Sequence, residues 1–300
     1  MVDPAVVRRF SAGAARYEAH AHAQRLSARD LLAYTGASLG PAQPGNILEP
    51  APNRGPAFKI LEPGCGTGLY TRMLLDAFPA ASILGVDVSE AMIRVARKRI
   101  DDQGRSSAAT GGDAPGLVVA ADDPRARFAV ADAEEITTGR YDLVTSNAAF
   151  QWFLSFPRTL ARMASLLSGG GVLTFSFFGP ETYAELDAAL RAAGRRREAE
   201  NEVRVAAAGF HSRDEIAEAL STAFPRWDVS ERRYRQDFAT LGDLLRSIRY
   251  TGTRGGGARD SWSPGRLARV EEAYRELHGG IRATYQVFLC RGAIPEGGPR

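Results

Sequence analysis

Between Lys59 and Gly68 the chain reads Lys-Ile-Leu-Glu-Pro-Gly-Cys-Gly-Thr-Gly, and no other stretch limits the fold as much. An apolar run (Phe58, Ile60, Leu61) ends on an acid, breaks at Pro63 and enters a turn with glycine at 64, 66 and 68. The spacing then predicts a helix from Thr67 to Phe78, with Leu69, Met73, Leu74 and Ala77 on one face. Glycines let the backbone approach a ligand where a Cβ would collide. The free N–H groups that open the next helix face the same place.

A glycine turn by itself is a weak signal, because dinucleotide enzymes and ligand-free turns share it. Two features sharpen it. The pattern is Gly-x-Gly-x-Gly, and Glu62 stands at the carboxyl end of the strand. The segment Ser82–Asp87 then reads as a second strand ending in an acid at the spacing that suits a ribose. Asp87 has two readings, ribose acceptor or helix N-cap, and Ser89 could serve equally as the cap.

Ile60–Gly68 together with Val86-Asp87-Val88-Ser89 and Met92 strongly resembles the first motif and its successor in class I S-adenosylmethionine-dependent methyltransferases. The resemblance implies an α/β, Rossmann-like, seven-stranded sheet with helices on both faces. It implies S-adenosyl-L-methionine as cofactor, its methionine part on the glycine loop (Glu62, Gly64, Cys65, Gly66, Gly68) and its ribose on Asp87 beside Val88 and Met92. The strand Arg127–Val130 is followed by Asp132 and Ala133, which match the position that meets the adenine amino group. Asn147 closes the next strand at the same sheet edge.

Length and composition bound the rest. Three hundred residues with a 44% hydrophobic share suit one large α/β domain with a real core. No apolar run of about 18 residues exists, and the N-terminus lacks an apolar signal core, so a cytoplasmic protein with no membrane partner is expected. Two cysteines and four scattered histidines predict neither a disulfide framework nor a metal site. The net charge is +3, and Lys occurs only at 59 and 98 among 38 basic residues. No basic run interleaved with aromatics supports nucleic-acid binding.

Along the chain, residues 4–33 read as helical, with Val6, Val7, Phe10, Ala14 and Tyr17 on one face. This segment is either a cover for the cofactor mouth or a plain packing helix. Proline and glycine mark 36–57 as a loop, and 101–124 lacks periodicity; both read as surface insertions. Tyr141–Asn147 is the fourth strand, and a helix from about 156 to 167 leads through Gly169-Gly170-Gly171 into a fifth, Val172–Phe178. These five strands are expected to be parallel and buried. Helices at 181–193, 212–221, 240–249 and 265–277 and strands at 227–235 and 282–289 follow. The mixed-sign stretch 191–204 reads as a solvated face, Arg254–Gly257 as a loop, and 293–300 as a tail. The whole is read as a single domain over 1–292, its cofactor core at about 58–178. The N-terminal helix and residues 180–280 form an acceptor cap, and a monomer is expected.

A finer resemblance is to the malonyl-acyl-carrier-protein O-methyltransferase family of biotin synthesis. It is carried by Phe10-Ser11…Tyr17…His20-Ala21…Gln24, Ser146-Asn147…Gln151-Trp152, Leu245-Arg246-Ser247-Ile248-Arg249 and Thr284–Leu289. The two insertions depart from its compact members. It implies methylation of the free carboxylate of malonyl-acyl carrier protein or malonyl-coenzyme A. It makes Tyr17 and Arg246 the candidate catalytic residues, and Tyr17, Gln151, Trp152, Arg246 and Arg249 the candidate acceptor contacts. A carboxylate is ionised at pH 7 and needs no general base. As the methyl moves, charges on sulfur and oxygen vanish together, so a tight cation on the carboxylate would favour the ground state. A neutral donor such as Tyr17 suits that demand better. The alternatives are another small-carboxylate methyltransferase of the trans-aconitate type, or a non-catalytic assembly factor on the same fold.

Overall fold

The computed structural model describes residues 3–39, 58–101, 118–120, 123–194, 205–251 and 263–296. The chain opens with α1 (Pro4–Gly13), α2 (Tyr17–His20) and α3 (His22–Leu39). The sheet half follows as β1 (Lys59–Pro63), α4 (Leu69–Ala77), β2 (Ser82–Asp87), α5 (Glu90–Asp101), β3 (Val118–Ala120), β4 (Ala126–Val130), β5 (Tyr141–Ser146), α6 (Phe156–Ser165) and β6 (Leu167–Phe178). The C-terminal part holds α7 (Ala184–Gly194), α8 (Arg213–Ala223), β7 (Arg226–Phe238), α9 (Leu241–Tyr250), α10 (Pro264–His278) and β8 (Ile281–Ala293).

The strand order is β3-β4-β2-β1-β5-β6-β8-β7. The five strands β4, β2, β1, β5 and β6 are mutually parallel, while β8 runs antiparallel to both β6 and β7. Seven of these strands form the expected sheet. The eighth, β3, is a three-residue antiparallel addition on β4, inside the stretch expected to be a structureless insertion. Three residues carry too little alternation to announce a strand from sequence.

Strand periodicity explains why the core has two parts. Neighbouring side chains on a strand point to opposite faces. Ile60, Leu143, Val172 and Phe178 accordingly join the cluster beneath α3, α4, α5, α7, α9 and α10. Their neighbours Leu61, Val144, Leu173 and Phe177 join the cluster beneath α6 and α8. With both faces covered, the strands read as continuous apolar runs.

Local chemistry sets several boundaries. The side chain of Ser212 accepts from the Glu215 amide and Glu215 answers to the Ser212 amide, a capping box that starts α8. α10 begins at Ser263 with proline in its first turn and ends at Gly279 in the left-handed conformation.

Three local expectations need correction. Residues 4–33 are broken at 14–16 and at Ala21, and the last helix runs on to Leu39. In α4 the buried side chains are Tyr70, Thr71, Leu74 and Leu75; Leu69, Met73 and Ala77 only flank the core. Packing against α3 and α5 turned the helix away from its most apolar stripe. The fifth strand starts at Leu167 and includes the three glycines, with a register shift opposite Tyr141 and Leu143. Residues 40–57, 102–117, 195–204, 252–262 and 297–300, where most of both insertions and the Arg254–Gly257 loop fall, lie outside the described residues.

Candidate functional site

The chain runs from β1 outward through β2 to β4, then returns to β5 on the other side of β1. Ligands in open α/β sheets bind where the order reverses, at the carboxyl ends of the strands. Here that edge carries an open cleft between the β1–α4 turn, the β2–α5 turn, the β5–α6 loop and the N-terminal helices.

The glycine turn forms the cleft floor. Gly64, Gly66 and Gly68 have φ of 68°, 54° and 73°, a region that side-chain-bearing residues rarely occupy. The amides of Gly64 and Cys65 both donate to the Val86 carbonyl, at 2.7 and 3.0 Å, which joins the turn to β2. A Cβ on Gly64 would stand 2.4 Å from the Ala149 Cβ, whereas one on Gly66 would meet nothing within 4 Å and project into open space. Gly64 and Gly66 line the cleft; Cys65 and Gly68 do not. Cys65 is buried with its sulfur against Gly85, and burial beside Glu62 and Asp87 pushes its thiol well up.

Two carboxylates stand at this floor, Asp87 half-buried at the cleft and Glu62 buried behind it. Asp87 lines the cleft and accepts from the Gly66 amide at 3.0 Å and the Ser89 amide at 2.8 Å. Burial raises its pKa to about 6, and those two amides pull the other way. Glu62 is 1% exposed and takes a 2.6 Å hydrogen bond from the Thr71 hydroxyl. Burial raises it to about 8, against the Thr71 bond and with a further push from Asp87. It sits behind the turn, outside the cleft lining. Asp87 braces the turn after β2 and fronts the cleft, while the cap of α5 is Ser89, whose hydroxyl accepts from the Met92 amide at 3.3 Å.

The remaining predicted cofactor positions divide. Val88, Met92, Ala133 and Asn147 line the cleft. Asp132 instead accepts from the Glu134 amide at 3.0 Å and caps the short turn 133–135, so the wall there is formed by Ala131 and Ala133. Asn147 donates to the Gln24 carbonyl at 3.1 Å and accepts from the Ser176 hydroxyl at 2.8 Å. That hydroxyl also accepts from the Ala148 amide at 2.8 Å, holding Ala148 at a left-handed φ of 55°.

The N-terminal helices roof the cleft. Val6, Phe10 and Tyr17 line it from above, facing Trp152 and Phe153. Phe10 meets Trp152 edge-on at 5.8 Å and tilts against Tyr17 at 6.4 Å. The Ser11 and Ser89 hydroxyls bond at 2.8 Å, and Arg99 holds both Glu18 and the Thr67 carbonyl. Residues 4–20 thus take the covering role left open for this segment, while α3 packs into the core, the plain packing alternative. Burial, aided by the Asp87 charge, raises the Tyr17 phenol above its ordinary value, so at neutral pH it is a protonated donor.

Among the acceptor candidates, Tyr17 and Trp152 reach the cleft. Gln151 lies behind its wall, donating to the Ala148 carbonyl at 2.7 Å. Arg246 and Arg249 are not brought to it. Arg246 is exposed and paired with Asp243 at 2.7 Å, and Arg249 is exposed on the same helix. α9 is amphipathic and buries Leu241, Leu244 and Ile248, which turns its arginines outward. Phe10, Ala149 and Phe153 line the cleft without having been singled out as site residues. Phe10 carried a signal, as the first residue of the N-terminal motif; the others carried none.

These features fit S-adenosylmethionine: a turn open to a close ligand at Gly66, an acid at ribose spacing, and apolar walls for a purine. A family model described as a methyltransferase domain matches residues 61–173. The malonyl-[acyl-carrier protein] O-methyltransferase of Paenibacillus sp. (strain JDR-2) is 33% identical, over 95% of this chain and 96% of its own. Its namesake in Geobacter sulfurreducens is 32% identical over 97% and 99%, and that in Bacillus cereus 30% identical over 94% of each. Among solved structures, the YcgJ protein of Bacillus subtilis superposes with a TM-score of 0.52 at 14% identity, over 81% of this chain and 94% of its own. A methyltransferase-like protein of Bacillus halodurans gives 0.50 at 12% identity, over 80% and 95%. At such identities the two structures bear on the fold alone.

Proposed function

The chain belongs to the malonyl-[acyl-carrier protein] O-methyltransferase family and is an S-adenosylmethionine-dependent methyltransferase, and from that premise we propose that it methylates the free carboxylate of a malonyl thioester on acyl carrier protein, opening pimeloyl and biotin synthesis. The observation that carries the acceptor chemistry is the roof of the cleft. Among the described residues lining the cleft, Tyr17, Asn147 and Trp152 supply polar hydrogens, Asn147 giving one to the Gln24 carbonyl, and no side chain is cationic.

The cofactor supplies an electrophilic methyl group on a sulfonium. The residues proposed to hold it are Gly64 and Gly66 below the methionine part and Asp87 at the ribose. Val88, Met92 and Ala133 flank the purine, and Asn147 lies at the β5 end. Glu62 acts from behind the turn by fixing Thr71, and Asp132 by capping the segment that carries Ala133. A carboxylate nucleophile needs no base, so the protein's work is alignment and exclusion of water. Tyr17 donates one hydrogen bond to the acceptor carboxylate without the ground-state preference of a full cation. Phe10, Trp152 and Phe153 shed water from the reacting oxygen. Gln151 holds the Ala148 turn and so the wall beside it.

The test is transfer of label from methyl-labelled S-adenosylmethionine to malonyl-acyl carrier protein, malonyl-coenzyme A and free diacids, read as base-labile ester. Label on the malonyl thioester is the expected result. Label only on a free acid would keep the carboxylate chemistry and discard the malonyl acceptor. Cofactor binding with no label on any of them would discard catalysis on carboxylates.

A further inference from the structure

The two arginines turned away from the cleft share a surface with two others. α9 packs on the N-terminal helices: the Tyr250 carbonyl lies 3.0 Å from where a Cβ on Gly13 would stand. The His20 ring stacks on Tyr250 at 4.8 Å. Arg16 donates to the Tyr250 hydroxyl at 2.7 Å, its guanidinium 5.5 Å from the ring centre. Arg16 and Arg246, both exposed, thus meet at His20, and exposed Arg8 and Arg249 lie on the two helices packed together there, α1 and α9. The nearby acids are already engaged, Asp243 by Arg246 and Glu18 by Arg99. Among the described residues no carboxylate pairs with Arg8, Arg16 or Arg249. The field is felt locally: after burial, Arg246 and Arg16 are what hold His20 below its ordinary value. The exposed strand β7 differs, since its arginines are interspersed with Asp228, Glu231 and Asp237, and Arg232 and Arg233 pair with acids.

This positive face also adjoins the cleft roof. Arg16 directly precedes Tyr17, and Arg8 lies on the helix that supplies Val6 and Phe10. We propose that the α1–α2–α9 face carrying Arg8, Arg16, Arg246 and Arg249 is the docking surface for the acidic carrier protein that bears the acceptor, with the acyl arm entering beside Tyr17. The inference rests on the acceptor reading above. Carrier proteins are acidic, and complementary charge at an exposed rim chiefly raises the association rate and makes it salt-dependent.

The test is an anisotropy titration of fluorescently labelled malonyl-acyl carrier protein with the enzyme at low and high salt. It compares wild type with the Arg8→Glu/Arg249→Glu double variant and with Arg16→Glu. Wild-type affinity should fall with salt, and charge reversal should raise Kd about tenfold or more at low salt and flatten the salt response. Cofactor affinity of the double variant and its turnover of malonyl-pantetheine, which has no carrier, should stay within about twofold of wild type. No wild-type binding, salt-insensitive binding, or variants that bind like wild type would overturn the docking surface. Parallel loss of carrier and cofactor binding in the double variant would do so as well. Because the titration reads binding alone, the two ideas fail separately. Carrier binding with no methylation of any malonyl thioester would sink the acceptor reading. Turnover of malonyl-pantetheine with unaltered carrier binding in the variants would sink the docking surface.

Discussion

The amide of Gly66 donates to the Asp87 carboxylate at 3.0 Å, tying the turn that ends β1 to the acid that ends β2. The same carboxylate takes the Ser89 amide at 2.8 Å, and Ser89 reaches up to Ser11 in the roof. One acid therefore couples the floor, the far wall and the cover of the cleft. Its titration should be visible in ligand binding.

Asp87 has a raised pKa, about 6, so it is ionised only above that pH. Ribose hydroxyls donate best to a carboxylate. Cofactor affinity should therefore fall as pH drops below about 6. In Asp87→Asn it should be weaker throughout and nearly flat between pH 5 and 8. Calorimetric titration across that range reads both features, and a variant retaining wild-type affinity would remove Asp87 from the site.

Glu62 makes a prediction about stability. Its folded value of about 8 stands above the ordinary 4.5, so between those values the folded chain holds a proton that the unfolded chain has released. Stability of the cofactor-free protein then declines from about pH 4.5 to about 8 and levels off above. Glu62→Gln should match wild type near pH 5 and exceed it near pH 8. The upper bound on the slope of the gap is about 1.4 kcal/mol per pH unit. Urea midpoints at the two pH values measure it, and a constant gap would contradict the assignment.

Gly64→Ala meets two obstacles at once, the positive φ and the Ala149 Cβ at 2.4 Å. A loss of about 1–3 kcal/mol is expected from strain at such a position, with a larger fall in cofactor affinity. Adding Ala149→Gly should recover the steric part and leave the φ cost. Full recovery, or none, in thermal melts and binding titrations would show that one obstacle had been misjudged.

Tyr17→Phe removes a hydroxyl and keeps the ring that packs on Phe10. Cofactor Kd should hold within about twofold, while kcat falls by about ten- to a hundredfold, as for loss of a positioned donor in the transition state. Unchanged turnover on a malonyl thioester would take Tyr17 out of the chemistry.

Much of this was written locally in the chain. The turn at 64–68 needs left-handed backbone that glycine alone adopts freely, so Gly64, Gly66 and Gly68 announced it. Leu61 and Val144 lie on strands covered on both faces, and such burial leaves uninterrupted apolar runs that can be read without a structure. The acid at the end of β2 was legible from spacing, and the family from the joint pattern.

Tertiary contact decided what spacing could not. That α1 and α2 cover the cleft follows from Phe10 against Trp152 and Ser11 against Ser89, pairs far apart in sequence with no shared period. Asp132 became a cap and left the wall to Ala131 and Ala133, because a short acid after a strand is drawn to the nearest free amides. Arg246 and Arg249 went outward because α9 buries Leu244 and Ile248, and a helix has one orientation to give. Sequence settles what the backbone must do locally, since sterics and burial act residue by residue. Which side chains then meet across the cleft is settled only when distant elements pack.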